Sequence, residues 1–442
     1  MGIDERTPDV SASELGQEMY QLVTELYPIC RSITGDGVRR TLELVGRHVP
    51  LETFEVPSGT QVFDWTVPKE WNIDDAWVKD QRGERVIDFG GSNLHVVSYS
   101  TPVRKTVSLA ELNEHLFTLP EHPQWIPYRT SYYREAWGFC MSEDRRSRLA
   151  DEDYEVCIDA SLEEGHLTYA ECFLPGRSEE EFLVSCHVCH PSLANDNLSG
   201  IAVASSLARH LSRLDLRYSY RFIFIPGTIG SITWLAHNEA AAARIAHGLV
   251  VAGVGDAGPF TYKRSRQGSA EIDRAMCHVL ERSGRPFQVV DFSPYGYDER
   301  QFCSPGFDLP VGRFSRSPHG EYPEYHTSAD DLDLVRPEHL AESFLQLLAA
   351  VELIEHDRTY TNTNPKCEPQ LGRRGLYKAV GGQADQEVMQ LALLWVLNQS
   401  DGSRSLLDIT QRSGLAFEAV RRAADALAEH SLLEETSPAS QR

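Results

Sequence analysis

A regular exchange of strand-like and helix-like patterns between about residues 166 and 355 narrows the choice of folds more than any other feature of this chain. EEFLVSCHV reads as a buried strand, SGIAVASSLARHLSRL as an amphipathic helix and YRFIFIPG as a second strand. ITWLAHNEAAAARIA, HGLVVAGVGD, SAEIDRAMCHVLERSG and FQVVDF continue the alternation. This is the rhythm of βαβ units. The expected fold class is therefore α/β, a mostly parallel sheet with helices on both faces. In such sheets the chemistry collects in loops at the carboxyl ends of the strands.

The other segments have different textures. Residues 1–50 read as a helical pair, with Leu15, Met19, Leu22, Leu26 and Ile29 at helical spacing before a break at Gly35-Asp36-Gly37. Residues 51–165 hold short β-rich runs, among them LETFEV, RVIDF, LHVVSYS and EVCIDASL, separated by turn residues, and read as an inserted β-rich domain. The α/β region proper occupies 166–360. A polar Gly-, Pro- and Asn-rich stretch, TYTNTNPKCEPQLGRRGLY, links it to a tail at 380–442. Three helical patterns and the short apolar end SLLEE give that tail the layout of a winged-helix domain.

Charge and composition exclude several function classes. Asp and Glu outnumber Lys and Arg by 65 to 42, a net charge of −23, which argues against a nucleic-acid partner. Within 385–435 the tail holds nine acidic residues against Arg404, Arg412, Arg421 and Arg422, too little positive charge for a DNA-reading helix. No apolar stretch is long enough to span a membrane, and the opening MGIDERTPDVSASELGQ lacks the apolar core of a signal peptide. Nine scattered cysteines without such a signal fit reduced thiols in the cytoplasm. The apolar tail helices suit docking, so a homo-oligomer is a further expectation.

Four strand-end segments carry candidate chemistry. In SCHVCHPSLANDNLSG, His187 and His190 flank Cys189, and Asp196 follows just before a helix. Asp256 closes VAGVGD, and His326 stands in YHTSADDLD ahead of Asp330, Asp331 and Asp333; FIPGTIGS is a fourth strand-to-helix loop. Imidazole and carboxylate are ordinary zinc ligands. Asp196 also reads as a helix cap, and the trio after His326 as a solvated helix start.

The order strand–His–loop–Asp, strand–Asp, loop–His resembles the zinc aminopeptidase family of bacterial leucyl aminopeptidases and the catalytic domain of glutamate carboxypeptidase. It is most similar to a bacterial branch named for polysaccharide biosynthesis or as peptidases, with an inserted β domain and a C-terminal winged helix. PICRSITGDGVRRTL, IPYRTSYYREAWGFC, CHVCHPSLANDNLSG, IPGTIGSITWL, GYDERQFCSPGFDLPVGRFSR and EYHTSADDLD carry the likeness. The resemblance implies one or two zinc ions, His187 and Asp256 on the first, His326 on the second, and Asp196 bridging. A carboxylate is expected after the Pro of IP-x-TIGS, where this chain has Gly227; a Glu placed there is expected to raise metal occupancy or hydrolysis if the surrounding pocket still fits a carboxylate. With Gly at 227, Glu299 and Glu324 are the candidate catalytic bases, and Asp298 is a third. Arg31, Arg129, Tyr132 and Tyr133 are candidates for substrate binding, the two tyrosines equally for packing a domain interface.

The function this points to is a zinc-dependent, aminopeptidase-like amide hydrolase acting on a small or peptide-like substrate in biosynthesis. Two alternatives stand beside it. One is a catalytically altered binding protein, favoured by Gly227. The other is a ligand-sensing regulator that uses the winged helix, disfavoured by the acidic tail.

Overall fold

The computed structural model describes residues 11–376 and 383–436, in two compact units, Met1–Leu348 and Ala349–Arg442. The N-terminal run tested for a signal peptide lies partly, and the ends of the 380–442 tail wholly, outside the described residues. In the first unit α1 (Ala12–Leu26) starts from a capping box. The Ser11 hydroxyl accepts the Glu14 N–H at 3.3 Å, and the Glu14 carboxylate accepts the Ser11 N–H at 3.0 Å. Leu15, Met19, Leu22, Val23 and Leu26 form its buried stripe. The helix stops short of Ile29 because Pro28 has no N–H to continue the ladder. After α2 (Asp36–Val45) comes β1 (Glu52–Pro57).

An antiparallel sheet follows, built from β2 (Glu70–Lys79), β3 (Arg85–Asp88), β4 (Val103–Ser108) and β5 (Asp153–Glu163), in the order β3-β2-β5-β4. It has its own core, including Ala76, Val78, Ile87, Val107, Phe139, Tyr154 and Val156. β1, expected to open this β-rich segment, instead pairs antiparallel with β6 (His166–Leu174) in the main sheet. The boundary was hidden because β1 is mostly exposed and carries no apolar run.

The main sheet continues through β7 (Glu181–His187), α3 (Gly200–Leu211), β8 (Ser219–Ile225), α4 (Ile229–His237), β9 (Ile245–Val251), β10 (Phe260–Lys263), α5 (Glu271–Arg282), β11 (Phe287–Val290), α6 (Glu299–Phe302), β12 (Val311–Ser315) and α7 (Pro337–His356). Its order is β1-β6-β8-β7-β9-β12-β10-β11. β8, β7, β9 and β12 are mutually parallel; β6 and β10 pair antiparallel with β8 and β12 at the two ends of that centre. The α/β reading of the sequence thus holds. β7 is buried throughout, as a strand covered on both faces must be. It lies between β8 and β9, which follow it in sequence. The crossover direction therefore reverses at β7, and its carboxyl end is the place for a site.

The second unit is a winged helix. β13 (Thr359–Asn362), α8 (Gln383–Gln399), β14 (Asp401–Ser405), α9 (Leu406–Ser413), α10 (Phe417–Glu429) and β15 (Leu433–Glu435) surround a core that includes Leu393, Val396, Leu406, Ile409, Val420 and Leu427. β13 is the central strand of its three-stranded sheet, although the polar TYTN reads as linker. No described helix is long and apolar enough to cross a membrane, and no disulfide links the nine cysteines.

Candidate metal centre

β7 ends on His187, and the turn that follows carries Cys189, His190 and Asp196. Asp196 is fully buried. One carboxylate oxygen, Oδ1, lies 2.8 Å from His187 Nε2. The other, Oδ2, lies 3.0 Å from His326 Nε2 and 3.8 Å from His190 Nδ1. The ligand atoms of His187, His190 and Asp196 lie within 4.8 Å of one another. Tetrahedral ligands at zinc bond lengths are separated by about 3.3 Å, so the spacing suits one small ion. Burial would raise the Asp196 carboxyl, but the surrounding imidazoles of His190, His187 and His326 hold it well below the usual carboxylate range. Burial pushes His190 down to about 3, leaving a neutral ring whose buried Nδ1 makes no hydrogen bond. A neutral imidazole with a free lone pair beside a carboxylate is a donor set for zinc, and these residues fit that ion.

Neighbouring groups hold the donors in place. Asp330 is fully buried, not solvated as its sequence context suggested, and accepts the N–H groups of Asn195 at 2.5 Å and Asp196 at 3.0 Å. Burial and the nearby carboxylates push its own carboxyl well above the usual range. Asn197 donates to the Val251 carbonyl at the end of β9 and accepts the Gly253 N–H. His326 has φ +55°, an uncommon conformation for a residue with a Cβ, and its carbonyl is held by the Tyr128 N–H at 2.7 Å. Rings pack round the imidazoles: Tyr325 stacks on His326 at 3.9 Å, Tyr297 on His187 at 5.0 Å, and Tyr128 stands edge-on to His190 and His326.

Asp256 does not join this set. Its Oδ1 accepts from Gly258 N–H and the Ser317 hydroxyl, and its Oδ2 accepts from Asn195 Nδ2. The ligand reading assumed that a strand runs up to it, but β9 ends at Val251 and Asp256 lies five residues beyond. It orients Asn195 instead. Glu299 is fully buried, with Oε1 paired to Lys263 Nζ at 2.9 Å and Oε2 without a hydrogen bond. Glu324 is partly exposed in the turn before His326.

Asp298 takes the place the glycine leaves empty. A Cβ built on Gly227 would lie 3.2 Å from Asp298 Oδ2 and 3.2 Å from His187 Cβ. Asp298 Oδ1 accepts the Ser231 hydroxyl at 2.7 Å, while its buried Oδ2 has no hydrogen bond. Burial raises this carboxyl to about 6, against the pull of His187. Cys189, also buried, is pushed up to about 12 and stays a thiol, with Sγ 3.7 Å from the Gly227 carbonyl.

The substrate candidates separate. Arg31 is buried and structural: its Nε holds the His190 carbonyl at 2.8 Å and its Nη1 holds the Leu26 carbonyl. Arg129 is exposed on the surface. Tyr132 donates to or accepts from the Tyr128 hydroxyl at 2.9 Å, one ring removed from the imidazoles. Tyr133 is half exposed and packs on Trp65. Sequence reading left His190 unassigned although the H-x-x-H spacing was visible. Asp330 stood in one of the candidate segments but was read there as part of a solvated helix start.

Residues 20–357 match the family model described as Domain of unknown function (DUF4910), and residues 358–435 match that of a winged helix-turn-helix. A Clostridium acetobutylicum protein named for polysaccharide biosynthesis and an aminopeptidase-like domain is 54% identical over 94% of this chain and 96% of its own. A crystal structure from the same organism, described as a peptidase, superposes with a TM-score of 0.91 at 52% identity, covering 96% of this chain and 97% of that one. The zinc aminopeptidase of Bacillus subtilis shares the fold at 14% identity and a TM-score of 0.56, covering 76% of this chain and 94% of its own. The α/β unit is thus aminopeptidase-like in fold, and the chain belongs to the DUF4910 family, with a winged helix appended.

Proposed function

We propose that this chain is a zinc-dependent amide hydrolase acting on a small or peptide-like substrate. The observation that carries the reading is Asp196, buried at the carboxyl end of β7 with imidazoles on both carboxylate oxygens, together with the unpaired Asp298 Oδ2, which shares the space over Gly227 with His187. His187, His190 and Asp196 would hold the ion, with His326 on the second oxygen of Asp196. A zinc ion in such a site polarises a carbonyl and makes water acidic enough to attack it. Asp298 Oδ2 accepts the proton of the attacking water and returns it to the leaving amine. Its raised carboxyl suits that exchange, because a base works best near the operating pH. Tyr128 and Tyr325 wall the imidazoles and exclude water from their flanks. The relative named for polysaccharide biosynthesis directs the substrate toward amide-bearing precursors of such polymers, and the unpaired cysteines fit a cytoplasmic setting.

A single ion is the form we favour, because Asp256 is engaged elsewhere. Elemental analysis of the purified chain is then expected to give about one zinc per chain. His187→Ala should lose it, while Asp256→Ala retains most. A chain without any divalent metal overturns the reading, and two equivalents restore the two-ion arrangement.

A further inference from the structure

A cavity of about 360 Å³ opens among Tyr99, Tyr133, Lys69, Arg134, Glu135 and Glu164, with Tyr99 packed on Tyr132, which reaches the Tyr128 hydroxyl beside the imidazoles. Its volume is within the usual size range of small-ligand pockets. One side is aromatic. Tyr133 is 50% exposed, and the 46%-exposed Trp65 continues its surface, the ring centroids 5.3 Å apart and the planes inclined at 60°. Trp65 sits on a short hairpin, residues 61–66, whose anchor Val62 is fully buried, so the exposed ring is presented by a fixed base. Tyr99 and Tyr133 hold φ values of +72° and +64°. Two bulky residues in the left-handed region along one cavity wall mark backbone shaped for a purpose other than stability.

The charges decide what the cavity can take. Lys69 and Arg134 are balanced by Glu135 and Glu164, and Lys69 Nζ stands 3.8 Å from a Glu135 oxygen. A phosphate or a carboxylate would meet as much repulsion as attraction, and so would a polyamine. The rim offers donors and acceptors together around exposed rings. That combination matches a neutral polyhydroxylated ring, whose C–H face packs on an aromatic side chain while its hydroxyls both donate and accept.

We propose that this cavity is a binding subsite for a neutral glycosyl unit, with Tyr133 and Trp65 as the stacking surface. It goes beyond the hydrolase reading and does not need the metal.

The test uses the full chain, stripped of metal with a chelator, and two uncharged probes, maltotriose and N,N′,N″-triacetylchitotriose. Tryptophan fluorescence and saturation-transfer NMR report binding. Saturable binding of at least one probe is expected, with transfer strongest to the ring C–H protons. Trp65→Ala and Tyr133→Ala should each weaken it by about tenfold, the scale of one aromatic contact. Trp65→Phe should retain most of it, and Phe173→Ala, which removes an exposed ring elsewhere, should change nothing. Circular dichroism checks that each variant is folded. Binding of neither probe, binding unchanged in both alanine variants, or tighter binding of glucose 6-phosphate than of the uncharged sugars overturns the proposal. Loss of sugar binding on chelation would also overturn it, by returning the sugar to the metal centre.

Discussion

Asp298, from another loop, reaches the space that a side chain at Gly227 would enter. The two positions are 71 residues apart, yet a Cβ at 227 would come to 3.2 Å from Asp298 Oδ2. Asp298→Asn is therefore expected to lower hydrolysis of a panel of aminoacyl and N-acyl amides by about 10²–10⁴-fold, with zinc content unchanged. Glu324→Gln should stay near wild type, and the reverse pattern would move the base to Glu324. The gain from a glutamate at 227 depended on room for a carboxylate, and the space over Gly227 is already shared by Asp298 Oδ2 and His187 Cβ. Gly227→Glu would press a second carboxylate on Asp298 and crowd His187, so zinc occupancy should fall; elemental analysis reads this directly. Asp330→Ala should weaken zinc affinity by about 10–100-fold, as losses of ligand-positioning groups do, measured by competition with a chromogenic chelator. His187 and Asp196 stood out because a strand-end histidine with an Asp nine residues on marks itself in the sequence, whereas His190 in the same turn was left unassigned. Asp256 was misread because strand ends are not legible to within five residues. Asp330 was hidden because its partners are backbone amides 134 and 135 residues away, which leave no trace in its own neighbourhood.

Among the elements, α2 is fastened to the inserted sheet by a bidentate pair between Arg39 and Glu70, at 2.7 and 2.8 Å. The Arg39 guanidinium first, then the His166 N–H and Asn72, hold the Glu70 carboxyl at about 2 against an ordinary 4.5, despite its partial burial. A carboxyl depressed on folding stabilises above its unfolded value and loses that contribution as pH falls through its folded one. Glu70→Gln should thus cost about 1 kcal/mol at neutral pH, since solvent screens the pair. The gap from wild type should stay constant above pH 4.5 and close between about 4.5 and 2, as read by urea unfolding. A gap independent of pH would show that the pair contributes nothing through charge. The same scale explains which strands were legible. β7, β8 and β9 are dense with apolar residues and declared themselves, whereas β1 and β13 are edge-like or polar and belong to their sheets only through pairing partners far along the chain.

On the scale of the whole molecule, the winged helix has its own apolar core. On α10, Arg421 is bound by Glu418 and Asp425, leaving little free positive charge on the helix that reads DNA in winged-helix proteins. No salt-sensitive binding of duplex DNA is expected in an electrophoretic mobility assay; binding whose affinity falls steeply with salt would reinstate the regulator. The α/β class and the winged helix followed from periodicity alone, because both are set by local apolar spacing. The site is a different kind of object. Arg31 grips the His190 carbonyl from 159 residues upstream, and Asp330 grips the 195–196 turn from 134 residues and more downstream. Synthesis runs from the N-terminus at about 5–20 residues per second. The imidazole of His187 therefore emerges many seconds before the carboxylate that steadies its partner Asp196. Until residue 330 is free to fold back, the nascent chain carries His187, His190 and Asp196 without the carboxylate that clamps their turn. If the proposed site takes zinc, its clamped donor set can form only once residue 330 has been made, three-quarters of the way along the chain.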